Sequence, residues 1–284
     1  MAGLLSGLSS LGLGNLEKMD VFEEKAEKQK QQEAQEQQKA EIKEEDLIFD
    51  KKYQCPCCDE EFMAKTVRVG KAKHISSDMD LRPKYEGVDM LKYDAVMCPF
   101  CGFSALTRYF KPLPTAQMKL IRENICSSFK MKLDHNNAIV YTYEQALERY
   151  QMCLANAIVK RAKASERAYI CLKGGWLVRG MGETLDQSAA DYESRKKECD
   201  DMENEYLQNA MEGFITARQS EAFPMCGMDE ATVDYLISVL AIRFEKYDVA
   251  SKLIGSMIVS KNINPRMRDK ARDLKEVLKE KMKG

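Results

Sequence analysis

The chain has only two histidines, His74 and His135, and it lacks a Gly-rich phosphate loop, a His-Glu-x-x-His pair and a Gly-x-Ser-x-Gly elbow. Those absences remove the usual sequence templates for phosphoryl transfer, metal-assisted hydrolysis and serine hydrolysis, and few groups remain as general bases. No enzyme is expected. Also missing is any apolar run long enough to cross a bilayer. The opening residues Met1-Ala2-Gly3-Leu4-Leu5-Ser6-Gly7-Leu8 carry no basic stretch and no clean small-residue cleavage site, so no secretory signal is read there. An excess of one charge is absent too. Lys and Arg number 44 against 45 Asp and Glu, a formal net charge of -1 that gives no global attraction to nucleic acid or anionic membrane.

What the chain does have is cysteine, ten in 284 residues. Five are scattered (Cys126, Cys153, Cys171, Cys199, Cys226), mostly in helical patterns where a thiol packs as a small hydrophobe; this usage suits a reducing, cytoplasmic compartment. The other five form two knuckles, Cys55-Pro56-Cys57-Cys58 and Cys98-Pro99-Phe100-Cys101-Gly102. Paired C-x-x-C turns present four thiolates to one ion, which predicts a structural Zn2+ held by Cys55, Cys58, Cys98 and Cys101. Gly102 removes a Cβ from the tight turn, and Asp59 takes the equivalent place in the first knuckle, where Asp tolerates a left-handed backbone. Cys57 either replaces Cys58 as ligand or stays free beside the metal; spacing favours Cys58. A disulfide pair and a thiol-redox motif compete with zinc. A redox C-x-x-C usually opens a helix in a βαβ unit, however, and a second knuckle has no role there. Four thiolates leave no open position, so the ion would hold a fold together and His74 is not needed as a ligand.

The gap between the knuckles exceeds the roughly 15 to 20 residues of a simple paired motif, so something folded must fill it. Strands are expected at Phe62–Val69 and Leu91–Met97. Residues 1–46 read as a flexible or helical arm: Leu4, Leu8, Leu11 and Leu16 are diluted by Gly and Ser, and Glu17 to Asp46 is rich in Glu, Lys and Gln. A sharper reading makes Leu4 to Phe22 a docking peptide on a tether. Residues 47–114 are then a zinc-ribbon-like β module and 115–284 a helical repeat-like domain, a mainly α fold. Thr142-Tyr143-Glu144-Gln145 is a capping box before Ala146, Leu147, Tyr150, Leu154, Ala157 and Ile158 at helical spacing. A helix from about Ser165 should stop at Gly180-Met181-Gly182, and Thr184 to Gln219 can run as one helix packing only through Tyr206, Ala210, Phe214 and Ala217. Asp229, Asp248 and Asn264-Pro265 are read as starts of three more helices. The run Ala210, Phe214, Ala217 and the turn Glu245 to Ala250 look like halves of tetratricopeptide repeats, with a generic hairpin array as the plainer alternative.

The phrases Cys-Pro-x-Cys, Ser77-Asp78-Met79-Asp80, Tyr85-Glu86-Gly87, Tyr93 to Phe103, Tyr235-Leu236-Ile237, Arg243-Phe244 and Tyr247-Asp248-Val249-Ala250 together resemble the bacterial domain of unknown function 2225 family. The likeness runs from about residue 50 onward. It implies a bacterial cytoplasmic protein with a zinc-ribbon-like head, a tetratricopeptide-like body and no defining catalytic activity. Asp78, Asp80 and Arg82 fail as an EF-hand loop, because Pro83 stands where Gly is required, and read as a solvated hairpin loop. Trp176 and Arg179 could pair as ring and cation toward a ligand, but Trp176 beside Gly174-Gly175 is read as helix packing. Two functions remain open. The first is a protein-interaction scaffold or adaptor that binds a protein or peptide without turnover. The second is nucleic-acid binding through Lys65, Arg68, Lys71, Lys73, Arg82 and Lys84, with Tyr85 and Phe103 for stacking.

Overall fold

The computed structural model describes Ser10, Gly12, residues 42–131 and residues 137–283. Apart from Ser10 and Gly12, the expected docking peptide Leu4 to Phe22 lies outside the described residues, as do most of its tether and His135.

A single helical turn, α1 (Glu44–Leu47), leads into three antiparallel hairpins: β1 (Ile48–Gln54) with β2 (Glu61–Val67), β3 (His74–Ser77) with β4 (Pro83–Tyr85), and β5 (Ala95–Met97) with β6 (Ser104–Leu106). Seven helices complete the described chain: α2 (Thr115–Ile121), α3 (Tyr143–Val159), α4 (Ala164–Glu183), α5 (Tyr192–Ser220), α6 (Glu230–Arg243), α7 (Tyr247–Val259) and α8 (Pro265–Lys281). The fold is mainly α with a small β part preceding the long helices, as the sequence predicts. The first hairpin pairs Ile48 with Val67 and Gln54 with Glu61, and β2 alternates between a buried Phe62 and Ala64 and an exposed Glu61 and Met63. β5 and β6 are buried throughout, and Leu91, Ala95 and Leu106 join the core of the helices.

Two strand expectations need correction. Leu91–Met97 is not one strand. The Asp89 carboxylate accepts the Leu91 N–H at 3.0 Å and starts a 3-10 turn over Met90–Tyr93, leaving only Ala95–Met97 extended. The expected strand to Val69 stops at Val67, because Gly70 turns the chain with φ 78° and leaves Val69 in solvent.

Among the helices, the Thr142–Gln145 capping box forms in both directions, and Asp229 and Asn264 cap α6 and α8. On α3, Ile158 is exposed while Arg149, Cys153 and Asn156 are buried instead. Asp248 is not a cap. Glu245 adopts φ 58°, and the Lys246 N–H reaches the Ala241 carbonyl at 2.7 Å, so a left-handed closure of α6 sets the turn and α7 starts two residues earlier, with Lys246 in the cap position. The helix expected from Thr184 begins only at Tyr192, since the Asp186 carboxylate accepts from Ser188 and holds the connection as a turn. Its charged first half also buries Cys199 and Glu203.

Gly180 and Gly182 do not end α4 but lie inside it. They allow close approach. A Cβ on Gly174 would stand 2.8 Å from Tyr206, on Gly175 2.7 Å from Leu207 and on Gly182 3.3 Å from Cys199, while a Cβ on Gly213 of α5 would meet Ala168 at 2.8 Å. Positions rising along α4 therefore meet positions falling along α5, which makes the pair antiparallel. A Cβ on Gly180 would stand 2.8 Å from the Asp89 carboxylate and 2.9 Å from the Arg82 guanidinium.

That guanidinium belongs to an ionic network docking the β3–β4 hairpin on the helices, where a solvated loop is expected. Arg82 pairs with Asp78, Asp89 and Glu183; Arg179 bridges Asp78, Asp80 and Glu203; and Arg243 shares Glu203. Asp80 and Arg82 are buried because each finds opposite charge, and the Trp176 indole N–H donates to Asp80 at 3.0 Å. Burial acts to lower the Arg179 pKa, but Asp80 and Glu203 outweigh it and raise the value, so the charge stays fixed. Asp78 is likewise pulled down against burial by Lys84 and Arg179.

Gly180→Ala should destabilise the protein by about 1 to 3 kcal/mol, the range for overpacking. Gly255→Ala, in mid-α7 with nothing within 4 Å of the added carbon, should stabilise it by about 0.5 to 1 kcal/mol. Urea unfolding of both variants checks the pair, and equal effects would contradict the close-approach account.

Candidate metal centre

Each knuckle is the turn of a hairpin. In the first, the Cys55 N–H donates to the Glu60 carbonyl at 2.9 Å and the Asp59 N–H to the Cys55 carbonyl at 2.9 Å. In the second, Cys98 and Phe103, then Gly102 and Cys98, repeat those bonds at 2.9 and 3.0 Å. Asp59 and Gly102 occupy the same left-handed position, with φ 64° and 76°, as their alignment in sequence predicts. Gly102 has a second reason to lack a Cβ, since one would stand 2.5 Å from the Phe129 ring.

The two turns face each other and bring together Cys55, Cys58, Cys98 and Cys101, whose sulfurs all lie within 4.8 Å of one another. Cys55 and Cys101 are 3.6 Å apart and Cys58 and Cys98 3.7 Å. A tetrahedral ion with thiolate bonds of about 2.3 Å would set its sulfurs about 3.8 Å apart, so the four residues fit a metal ion. The same spacing is far beyond the roughly 2.05 Å of a disulfide, and all ten cysteines are free.

Electrostatics favour a cation here. Hydrogen bonds from Cys101 and Cys55 hold the Cys98 thiol down at about 4, and the main-chain N–H groups of Cys101 and Phe100 add to this. Cys101 is driven the other way by Cys55 and Cys98, and Cys58 is raised chiefly by burial. Four packed thiols cannot all ionise without a positive charge among them, and a bound ion would supply one.

The knuckles are held from outside by side chains with no sequence signature. Arg122 donates from Nε and Nη2 to the Cys57 carbonyl at 3.1 and 2.6 Å. Asn156, fully buried on α3, donates to the Gly102 carbonyl at 3.1 Å, and the Ser104 hydroxyl donates to the same oxygen. Around them Tyr53, Phe62, Phe103 and Phe110 pack ring against ring at 5.2 to 6.0 Å. Cys57 does not belong to the four. Its sulfur lies 3.7 Å from that of Cys126, a residue that reads in sequence as a scattered packing cysteine.

The model of a family described as "Uncharacterized protein conserved in bacteria (DUF2225)" matches residues 48–278. The chain belongs to that family. No match is found among curated proteins or among solved structures.

The remaining sequence candidates of this family member lie apart from the thiols or are already engaged. His74 is exposed, 3.1 Å from the Ser77 hydroxyl. Of the basic residues expected to face nucleic acid, Lys65 pairs with Asp50, Lys73 with Glu86, Lys84 with Asp78 and Glu183, and Arg82 is buried. Arg68 lies over the Phe49 ring, and Phe103 is buried against the knuckles. Trp176 and Arg179 both turn toward Asp80. No helix among the described residues is long and apolar enough to cross a membrane.

A cavity of about 460 Å³ opens between the β3–β4 hairpin and helices α4 and α6. Its walls include Val67, Leu81, Tyr85, Trp176 and Leu236, with the Lys173–Asp94 ion pair at one side. No local sequence signal marks it, because its walls come from segments distant in the chain.

One metal ion per chain is expected in protein purified without chelator, and Cys98→Ser should lose both the ion and much of the thermal stability, while Cys57→Ser keeps both. Protons compete with the ion for thiolates, so retention should be complete near neutral pH and fall as pH is lowered. Metal analysis after dialysis at stepped pH reads both effects.

Proposed function

We propose that the protein is a non-enzymatic adaptor whose fold is held by a structural zinc ion and which binds a protein or peptide partner without turnover. The observation that carries this reading is the closure of the four-thiol cluster. Four thiolates complete a tetrahedron, Cys55, Cys98 and Cys101 are buried, and no coordination position is left for substrate or water. Soft thiolate donors in tetrahedral array select zinc or iron, and a closed site with a purely structural task favours zinc.

The cavity beside the hairpin supplies the surface for a partner. Its volume and its Tyr, Trp, Leu and Val walls suit an apolar anchor side chain, and the Lys173–Asp94 pair offers a polar contact at the edge. The nucleic-acid reading is the weaker one, because most of its basic residues are engaged in ion pairs and Phe103 is buried.

Trp176 is the only tryptophan and lines this cavity, so its emission reports occupancy. A partner recovered by cross-linking should shift that emission on titration. Met228→Arg at the cavity wall should weaken the binding about tenfold or more. Joint neutralisation of Arg68, Lys71 and Lys73 should leave it unchanged. Binding that instead collapses with added salt and in the neutralised variant would establish the nucleic-acid function.

A further inference from the structure

The pair Cys57 and Cys126 has no part in the four-thiol centre, yet it touches it. The sulfurs of Cys57, Cys101 and Cys126 lie within 4.8 Å of one another, with Cys57 and Cys101 buried and Cys126 half-buried. Three thiolates around one ion at about 2.3 Å would stand about 4.0 Å apart, and Cys57 and Cys126 are already at 3.7 Å.

A second observation concerns how Cys126 gets there. The helix α2 ends in a π turn over Arg122–Cys126, in which the Ser127 N–H skips to the Arg122 carbonyl at 3.1 Å. Such turns insert a residue and re-aim the side chains beyond it, and they are frequent at functional sites. Here the turn delivers two groups to the first knuckle: the Arg122 guanidinium to the Cys57 carbonyl, and the Cys126 thiol to the Cys57 thiol. A thiol that serves only as a small hydrophobe has no need to meet two others.

We propose that Cys57, Cys101 and Cys126 form a second metal site, for a soft monovalent cation of the Cu+ type, sharing the Cys101 sulfur with the four-thiolate centre. A thiolate sulfur keeps lone pairs after binding one ion and can bridge to a second. Thiolates select soft ions, and three donors with no fourth in the group match the low coordination number of Cu+. Three thiolates and one monovalent cation leave excess negative charge, and Arg122 stands beside it. Because Cys126 reaches the surface while the four-thiolate centre is mostly buried, the second ion would exchange more easily than the first.

The inference rests on the four-thiolate reading through Cys101, and the experiment separates the two. Zinc-loaded full-length protein is titrated anaerobically with the cuprous acetonitrile complex, and bound copper and retained zinc are measured after dialysis. The wild type should take up one copper per chain with its zinc retained, and Cys57→Ala and Cys126→Ala should take up none at the same free copper while still holding zinc. Copper uptake that expels zinc equally from wild type and Cys126→Ala, or no uptake at all, overturns the second site and leaves the first standing. Failure of the wild type to hold zinc before copper is added removes the first site and the second with it.

Discussion

Four sulfurs drawn from two turns 40 residues apart in sequence are the constraint on which the β half depends. The hairpins β1–β2 and β5–β6 are separate two-stranded sheets that share no strand, and an isolated two-stranded hairpin is marginal in water. What joins them is the face between their knuckles: the thiols, the rings of Tyr53, Phe62, Phe103 and Phe110, and the anchors from Arg122 and Asn156. The crowded thiols push one another in opposite directions, Cys98 down and Cys101 up. A single ion bound by the four thiolates would link the two hairpins directly and so couple metal binding to the fold at this point.

The helices depend on a different device. Glycine at positions 174 and 175 brings α4 against α5 at a distance that a Cβ would not allow without a shift, and Gly180 does the same for the ionic network. The network in turn fixes the β3–β4 hairpin, whose two short strands could not hold a register alone. Buried charges are costly unless paired, and replacing them by apolar groups is often no less stable. Their value here is directional. Arg179 of α4 takes Asp78 and Asp80 of the hairpin turn, while Arg82 of that turn takes Glu183 of α4, so crossed ion pairs tie the hairpin to α4 beside the cavity.

Legibility in the sequence tracks the range of each interaction. The knuckles are readable because a turn of four residues states its own geometry, down to the left-handed Asp59 and Gly102. The capping box at Thr142 and the cap at Asp229 are readable for the same reason. Gly180 reads as a stop because a glycine that ends a helix and one that admits a neighbour look alike until the neighbour is known. Asp80 and Arg82 read as solvated residues because their partners, Arg179 and Glu183, come about 100 residues later. Leu91 reads as strand from its apolar neighbours, although Asp89 two residues before it carries the capping signal that decides the turn. Asn156, Arg122 and Cys126 leave no trace at all, since nothing local marks a helix residue as the anchor of a distant turn.

The metal centre and the cavity are linked through one short stretch. Residues 90–97 carry Met90, Leu91 and Tyr93 on the cavity side, then enter β5, whose last residue precedes Cys98. Tyr93 also stacks on Tyr141 at 5.4 Å and donates its hydroxyl to Glu44 at 2.7 Å, while the Leu91 carbonyl accepts from Tyr150 at 3.1 Å. The segment is therefore pinned on the cavity side by α1 and α3, and on the other it runs into the Cys98 knuckle, where a bound ion would hold it. Loss of the ion would release β5 and, with it, the wall that Leu91 and Tyr93 provide. On the proposed reading, a structural ion at the thiols would in this way govern binding at the recess, because both ends of that stretch would then be held.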